Sequence, residues 1–373
     1  MAPVSIDLRS TDDIRDVVHQ AVQALAEGRL VVFPTETVYG LAARALDPEA
    51  VSRLLKVKGR EAGHPLTLAI RGSEEARDYA PDMGPLAKRL ARRCWPGPIT
   101  LVLGDLHAES VVKELPESVR NAVSSNGAIG LRVPGHTVIL DVLQMVAGPL
   151  VLSSANRTGQ SEPRTAAEAV QALGDDVDLV LEDGPTRFGQ PSSVVRIDGK
   201  RYELLRAGAV PEKTLRRLSS VILLFVCTGN TCRSPMAEIL CRKMIAERLG
   251  CEPGEVEDRG VTVLSAGVAT MAGGQAAPEA IRAMSAKGLD LTMHETQPLT
   301  EPLVRHSDLI LTMTRSQRQA IVAQWPLAAE RTRVLSATGV DISDPIGGPL
   351  ERYQRCAEQI RAELKTLVDE LEL

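Results

Sequence analysis

The stretch Val221-Ile-Leu-Leu-Phe-Val-Cys227-Thr-Gly-Asn230-Thr231-Cys232-Arg233-Ser234-Pro-Met-Ala-Glu238 decides how this chain is read. Six consecutive apolar residues, 221–226, fit a strand buried on both faces, as parallel sheets require. Cys227 follows directly, five residues separate it from Arg233, and Ser234-Pro235 suits the first turn of a helix. A strand, a tight Gly-containing loop and a helix N-terminus, in that order, form a nest of backbone N–H groups for a tetrahedral anion. Arg233 can grip two oxygens of that anion through its planar fork. The same positive surroundings favour a thiolate nucleophile at Cys227. Asn230 and Ser234 can hold the loop and hydrogen-bond the sulfur.

Helices and strands alternate from there onward. The spacing predicts a helix after Ser234, a strand at 261–264, a helix at 278–286, a strand at 308–312 and a helix at 315–324. A last helix carries Leu350, Tyr353, Cys356, Ile360, Leu364, Leu367 and Leu371 as an apolar stripe. Regular βα alternation predicts a parallel sheet with helices on both faces.

These residues resemble the low-molecular-weight protein-tyrosine-phosphatase family over 221–373. The resemblance implies that Cys227 attacks phosphorus to form a phosphocysteine while Arg233 holds the transferring phosphoryl group. It makes Asp344, in Asp341-Ile-Ser-Asp344-Pro345-Ile-Gly-Gly348, the general acid that protonates the leaving group and then activates water. Ser265, in Leu264-Ser-Ala-Gly267, matches a serine that hydrogen-bonds the loop asparagine, here Asn230. Thr231 and the ring-free 346–348 segment resemble the protein-arginine-phosphatase branch, in which the threonine orients water against a phosphoguanidinium. A polar Thr231 also disfavours a flat apolar ring. Ile346 stands where that branch usually has Phe. The expected substrate is a phosphoprotein carrying phosphoarginine, with phosphotyrosine as the alternative. Cys232 can form a protective disulfide with Cys227 or simply pack, and Cys241 and Cys356 read as core.

The rest of the chain is bounded by composition. At 373 residues it is long enough for two domains, possibly three. Apolar residues are 44% and charged residues 24%, which excludes a disordered chain. Three Phe, four Tyr and two Trp are too few for a surface built on base stacking. The net charge of −5 offers no global field for a polyanion. No apolar run approaches membrane-spanning length, and the start lacks a cationic segment followed by an apolar one, so the expected location is cytoplasmic, without a membrane. Six cysteines without a CxxC pair suit neither a disulfide framework nor zinc, and no metal site is expected. A polar stretch at 211–220 marks the junction, giving domains 1–218 and 219–373. Split at Leu218, the first has 27 basic against 28 acidic residues and the second 16 against 20.

In the first half, helices are expected from Ile14 to Leu25 behind Asp13, from Asp47-Pro48 to Leu55, and from a capping box Thr165-Ala-Ala-Glu168 to Leu173. Strands are expected at 30–33, 67–70, 100–103, 129–133, 150–152, 179–181 and 194–197. The segment 34–45, PTETVYGLAARA, reads as a tight turn near a ligand between a strand and a helix. Lys58-x-Arg60 ends a helix, and Ser154-x-Asn156 follows a strand. With WPGPITLVL (95–103), LRVP (131–134) and 190–208, these resemble the YrdC-like threonylcarbamoyl-AMP synthase family over about the first 210 residues.

The resemblance implies a twisted α/β domain with a concave pocket. It implies condensation of L-threonine, bicarbonate and ATP to threonylcarbamoyl-AMP and pyrophosphate, with Mg²⁺ carried by the ATP. The product feeds a separate transferase complex that modifies tRNA. Lys58, Arg60, Ser154 and Asn156 form the family's tetrad; Lys58, Arg60, His64, Asn156, Arg164 and Arg206 would line the ATP site. Thr37, Arg132, Ser154 and Ser192 would hold L-threonine, with Arg132 on its carboxylate. Ala69 stands where many members have His, and Ser193-Val-Val-Arg196 replaces a commoner Thr-Val-Val-Asp. The non-enzyme alternative for this half is an RNA-binding module. The expectation is a two-enzyme fusion of class α/β throughout.

Overall fold

A computed structural model describes residues 2–59 and 65–371. The chain divides into two compact units, Met1–Leu218 and Ser219–Leu373.

The first unit is built on one mixed sheet. Its strand order is Val4–Asp7, Leu179–Glu182, Val31–Phe33, Gly40–Arg44, Leu150–Ser154, Thr67–Ala69, Ala128–Arg132, Ile99–Gly104, Ser193–Asp198 and Arg201–Arg206, with Ser124–Ser125 paired beside Ala128–Arg132. Successive side chains on a strand alternate between faces. Val32, Leu41, Leu68, Leu101, Ile129 and Leu131 therefore join one core. Val31, Phe33, Ala42, Ala69 and Leu150 join another under the helices Ile14–Ala26 and Thr137–Met145. The second face continues across the register pairs Ala69↔Arg132, Thr67↔Gly130 and Val102↔Gly130. There its side chains line a cavity of about 750 Å³ instead of a helix.

The second unit has four parallel strands in the order Val261–Gly267, Val221–Cys227, Leu309–Thr312, Thr332–Val334. Leu223, Phe225 and Cys227 pack with the helices Arg233–Leu249, Pro278–Ser285 and Leu350–Glu370. Leu224, Val226 and Ile310 pack on the other face with Val304 and Ile321, from the helices Glu301–His306 and Arg315–Gln324. Helices thus cover both faces, as the alternation requires.

The 211–220 stretch contains the short helix Glu212–Ser219. Two local expectations are corrected. The 34–45 segment is a turn only to Tyr39, because Gly40–Arg44 pairs as a strand with Val31–Phe33 and Leu150–Ser154. In the Thr165 cap the hydroxyl accepts from Glu168 N, but the Glu168 carboxylate accepts from Arg164 N instead of closing the box on Thr165.

Two candidate active sites

In the second unit Cys227 ends its strand and the helix Arg233–Leu249 begins six residues later. That helix has no side-chain cap at its N-terminus, so its first N–H groups remain for a ligand. Cys227 is 3% exposed, and its sulfur lies 3.0 Å from Ser234 Oγ and accepts from Asn230 N at 3.2 Å. Asn230 occupies the left-handed region with φ 52°, which turns the loop back on itself. Its Nδ2 donates to Ser234 Oγ at 3.0 Å and to Ser265 Oγ at 2.9 Å. Its Oδ1 accepts from Gln297 N at 2.9 Å. Its carbonyl lies 2.8 Å from His294 Nε2, and since a carbonyl only accepts, that nitrogen carries the proton.

Gly267 lets the next strand approach the loop: a Cβ there would sit 2.7 Å from Thr228 O. Buried Arg233 pairs with the Asp344 carboxylate and donates to Ile342 O at 3.3 Å. Asp344 keeps 44% of its side chain exposed, as solvent-coupled acid–base work needs. Thr231 Oγ1 lies 3.4 Å from Cys232 Sγ. Burial pushes the Cys232 thiol above its ordinary range and Cys356 up to about 12. Cys241 is fully buried, as expected of core.

The residues read from the loop therefore converge: Cys227, Asn230, Thr231, Arg233, Ser234, Ser265 and Asp344 occupy one end of the sheet. Ligands of open parallel sheets bind at the carboxyl ends of the strands. Gln297 and His294 were not foreseen. They lie in a loop with no motif, more than 60 residues from the asparagine they fix.

In the first unit the cavity is lined by Lys58, Arg132, Ser154, Asn156, Ser192 and Arg206, among others. Lys58 Nζ donates to Ser154 O at 2.7 Å, to Asn156 Oδ1 at 3.1 Å and to Asn156 O. The buried ammonium thereby ties the helix end to the turn after the strand Leu150–Ser154. Arg132 Nη2 donates to Glu36 Oε1 and to Thr37 Oγ1, each at 2.7 Å, and its Nε to Gly97 O at 3.3 Å. Thr37 is fully buried behind that guanidinium and is not part of the cavity lining, and neither is Arg164. Arg60 and His64 lie outside the described residues.

Arg206 gives its hydrogen bonds to Ser192 O and Oγ and has no carboxylate partner among the described residues. Burial lowers its pKa, Glu162 opposes that shift, and the nearby charge of Arg132 adds to it. Glu36, Thr100 and Glu162 were missed as site residues. Glu36 and Thr100 lie inside quoted motifs, while Glu162 carried no signal.

Among the described residues no cluster of three or more His, Cys, Asp or Glu side chains is placed to hold a metal. No helix among them is long and apolar enough to cross a membrane.

Residues 23–208 match the Sua5/YciO/YrdC family, described as "Telomere recombination", and residues 222–373 match "Low molecular weight phosphotyrosine protein phosphatase". A Pyrococcus abyssi threonylcarbamoyl-AMP synthase is 34% identical over 194 residues, covering 52% of this chain. This chain spans only 54% of that relative's length. A mouse threonylcarbamoyl-AMP synthase is 31% identical over 207 residues, 53% of this chain and 69% of that protein. A Bacillus subtilis protein-arginine-phosphatase is 39% identical over 153 residues, 40% of this chain and 95% of that protein. The structure of Pyrococcus abyssi Sua5 complexed with L-threonine aligns at TM-score 0.51 and 23% identity, over 71% of this chain and 92% of that one, which shows a shared fold. The chain thus belongs to two families in series, Sua5/YciO/YrdC in its first unit and low-molecular-weight phosphotyrosine protein phosphatase in its second.

Proposed function

We propose that the first unit is a threonylcarbamoyl-AMP synthase and the second a cysteine-dependent protein-arginine phosphatase. The observation that carries the first reading is the cavity: Lys58, Ser154 and Asn156 form one tied cluster in a lining that also holds the Arg206 guanidinium, which hydrogen-bonds no carboxylate among the described residues. A guanidinium that hydrogen-bonds no carboxylate, and meets Glu162 through charge alone, keeps donors for an anionic ligand. ATP supplies it, and bicarbonate and L-threonine supply the nucleophile that attacks the α-phosphate and releases pyrophosphate. Glu36 holds one side of the Arg132 fork, leaving other N–H groups for the amino-acid carboxylate. Glu162 is the one carboxylate in the described lining, and with the Ser and Thr hydroxyls it offers oxygen donors of the kind Mg²⁺ prefers. These are too few for a cage; an Mg²⁺ carried by the ATP would supply charge neutralisation at the phosphates. A separate transferase complex then transfers the threonylcarbamoyl group of the adenylate to tRNA and releases AMP.

For the second unit the carrying observation is the sulfur of Cys227, held by Ser234 and the Asn230 N–H in front of a helix N-terminus. Cys227 attacks phosphorus, Arg233 exchanges Asp344 for the phosphoryl oxygens, and Asp344 donates a proton to the leaving nitrogen. Asp344 then deprotonates the water that cleaves the phosphocysteine. Phosphoarginine is favoured over phosphotyrosine because Thr231 presents a polar side chain, and the Asp344 loop offers only Ile346, 66% exposed, in place of an aromatic wall.

Two assays on the purified chain test these readings. Mass spectrometry of incubations with L-threonine, bicarbonate and Mg-ATP is expected to find threonylcarbamoyl-AMP; its absence overturns the first. Phosphoarginine peptides are expected to turn over faster than phosphotyrosine peptides, and Thr231→Ile to shift preference toward phosphotyrosine. Equal preference before and after that substitution overturns the specificity argument.

A further inference from the structure

Thr100 and Ser192 stand side by side in the cavity wall, 2% and 5% exposed, with hydroxyl oxygens 2.9 Å apart. Each hydroxyl owns one proton. Arg206 Nη2 donates to Ser192 Oγ at 3.1 Å, and a guanidinium accepts nothing in return. One hydroxyl proton closes the bond between Thr100 and Ser192. The other has no acceptor among the described residues. A buried donor left unpaired is costly, so it is retained where something else comes to accept from it.

Charge sets the direction of this chain. The cation polarises Ser192, and a donor chain running from Arg206 to Ser192 to Thr100 is strengthened at each link. Thr100 Oγ1 is then the terminal donor. Strand alternation fixes where it faces: Leu101 and Leu103 enter the core, while Thr100 and Val102 line the cavity. On the neighbouring strand Ala128–Arg132, Gly130 leaves the floor open. A Cβ there would sit 3.5 Å from Thr100 Cγ2 and 3.7 Å from Thr67 Oγ1. Arg132 follows on the same face and acts electrostatically on Arg206, so two guanidinium groups address the space above Thr100. Glu36 already pairs with Arg132, whereas Arg206 hydrogen-bonds only Ser192 and meets Glu162 through charge alone. An anionic substrate oxygen there would accept the hydroxyl proton left over in this chain.

We propose that Thr100 is a substrate-binding residue whose free hydroxyl proton is donated to a carboxylate or carbamate oxygen of the amino-acid substrate, held by Arg132 while Arg206 serves the ATP. This rests on the synthase reading of the first unit. The test uses the full chain, with pyrophosphate release measured while L-threonine, bicarbonate and Mg-ATP are varied in turn. L-threonine binding is followed by calorimetry. Thr100→Val, which keeps the shape and removes the hydroxyl, is expected to raise the KM for L-threonine about tenfold and leave that for ATP within about twofold. Thr100→Ser keeps the hydroxyl and should stay within about twofold of the unaltered chain on both. An unchanged threonine KM in Thr100→Val, or a rise confined to ATP, overturns the inference. Should thermal unfolding show that the valine variant does not fold, Thr100→Ala is read against the same criteria. An unaltered chain that neither binds L-threonine nor releases pyrophosphate overturns the synthase reading, and this inference with it. An active chain indifferent to Thr100→Val overturns the inference alone.

Discussion

Asn230 engages every polar group it has: its N–H on Cys227, its carbonyl with His294, its amide nitrogen on Ser234 and Ser265, its amide oxygen with Gln297. A non-Gly residue at φ 52° is held against about 1–2 kcal/mol of backbone strain, and five bonds are what hold it. The thiols around it follow a different logic. Burial raises Cys232, Cys241 and Cys356 from their ordinary 9.0, Cys356 to about 12. Above pH 9 the unfolded chain releases protons that the folded chain keeps. The unfolded state then binds fewer protons, and stability falls as pH rises. Each thiol contributes about 1.4 kcal/mol per pH unit until its folded pKa is reached, and nothing below pH 8. Urea unfolding at pH 7, 8, 9 and 10 is expected to show a flat profile that drops between 9 and 10, with Cys241→Ala reducing the drop. A flat profile throughout contradicts the assignment of these thiols as buried and neutral.

The helix Pro48–Lys58 shows how one element delivers a site residue. Asp47 caps it, accepting from Glu49 N and Ala50 N at 3.0 Å each; Pro48 opens it, and Gly59 at φ 58° ends it directly after Lys58. Asp47→Ala is expected to cost the first unit about 1 kcal/mol, read as a lower thermal midpoint, with phosphatase turnover unchanged. Such elements were legible because caps and periodicity are local. Val221–Cys227 and the helix Arg315–Gln324 fell where the residues put them. Gly40–Arg44 did not: Gly-Leu-Ala-Ala-Arg has weak strand propensity, and its pairing with two distant strands makes it one. Arg201–Arg206 is an edge strand of mostly exposed residues, so no apolar alternation marked it; only the turn at Gly199-Lys200, with Gly199 at φ 56°, was a signal. The sites divide likewise. Cys227 to Arg233 is contiguous and readable, and Ser192 was named from the resemblance, whereas Gln297, Glu162 and Thr100 exist as site residues only once the chain is folded.

At the scale of the whole chain, two chemistries occupy two separately built cores. Among the described residues, every buried hydrophobic cluster lies within one unit: two span Leu8 to Leu215 and two span Leu223 to Val368. Among the described residues, the cavity lining lies within 1–218 and the hydrogen-bond partners of Cys227 and Arg233 within 219–373. Damage to one core should therefore lower one activity only. Leu54 is fully buried in the first unit and Ile360 in the second. Removing such a side chain costs about 2–5 kcal/mol, and at roughly 2–4 °C per kcal/mol for domains of this size the midpoint falls by about 4–20 °C. Heating the purified chain in steps and assaying both reactions after each step separates the units. Leu54→Ala is expected to lose pyrophosphate release at the lower temperature and keep the unaltered chain's phosphatase profile. Ile360→Ala should do the reverse. Both activities failing together in either variant would mean that the cores unfold as one cooperative unit.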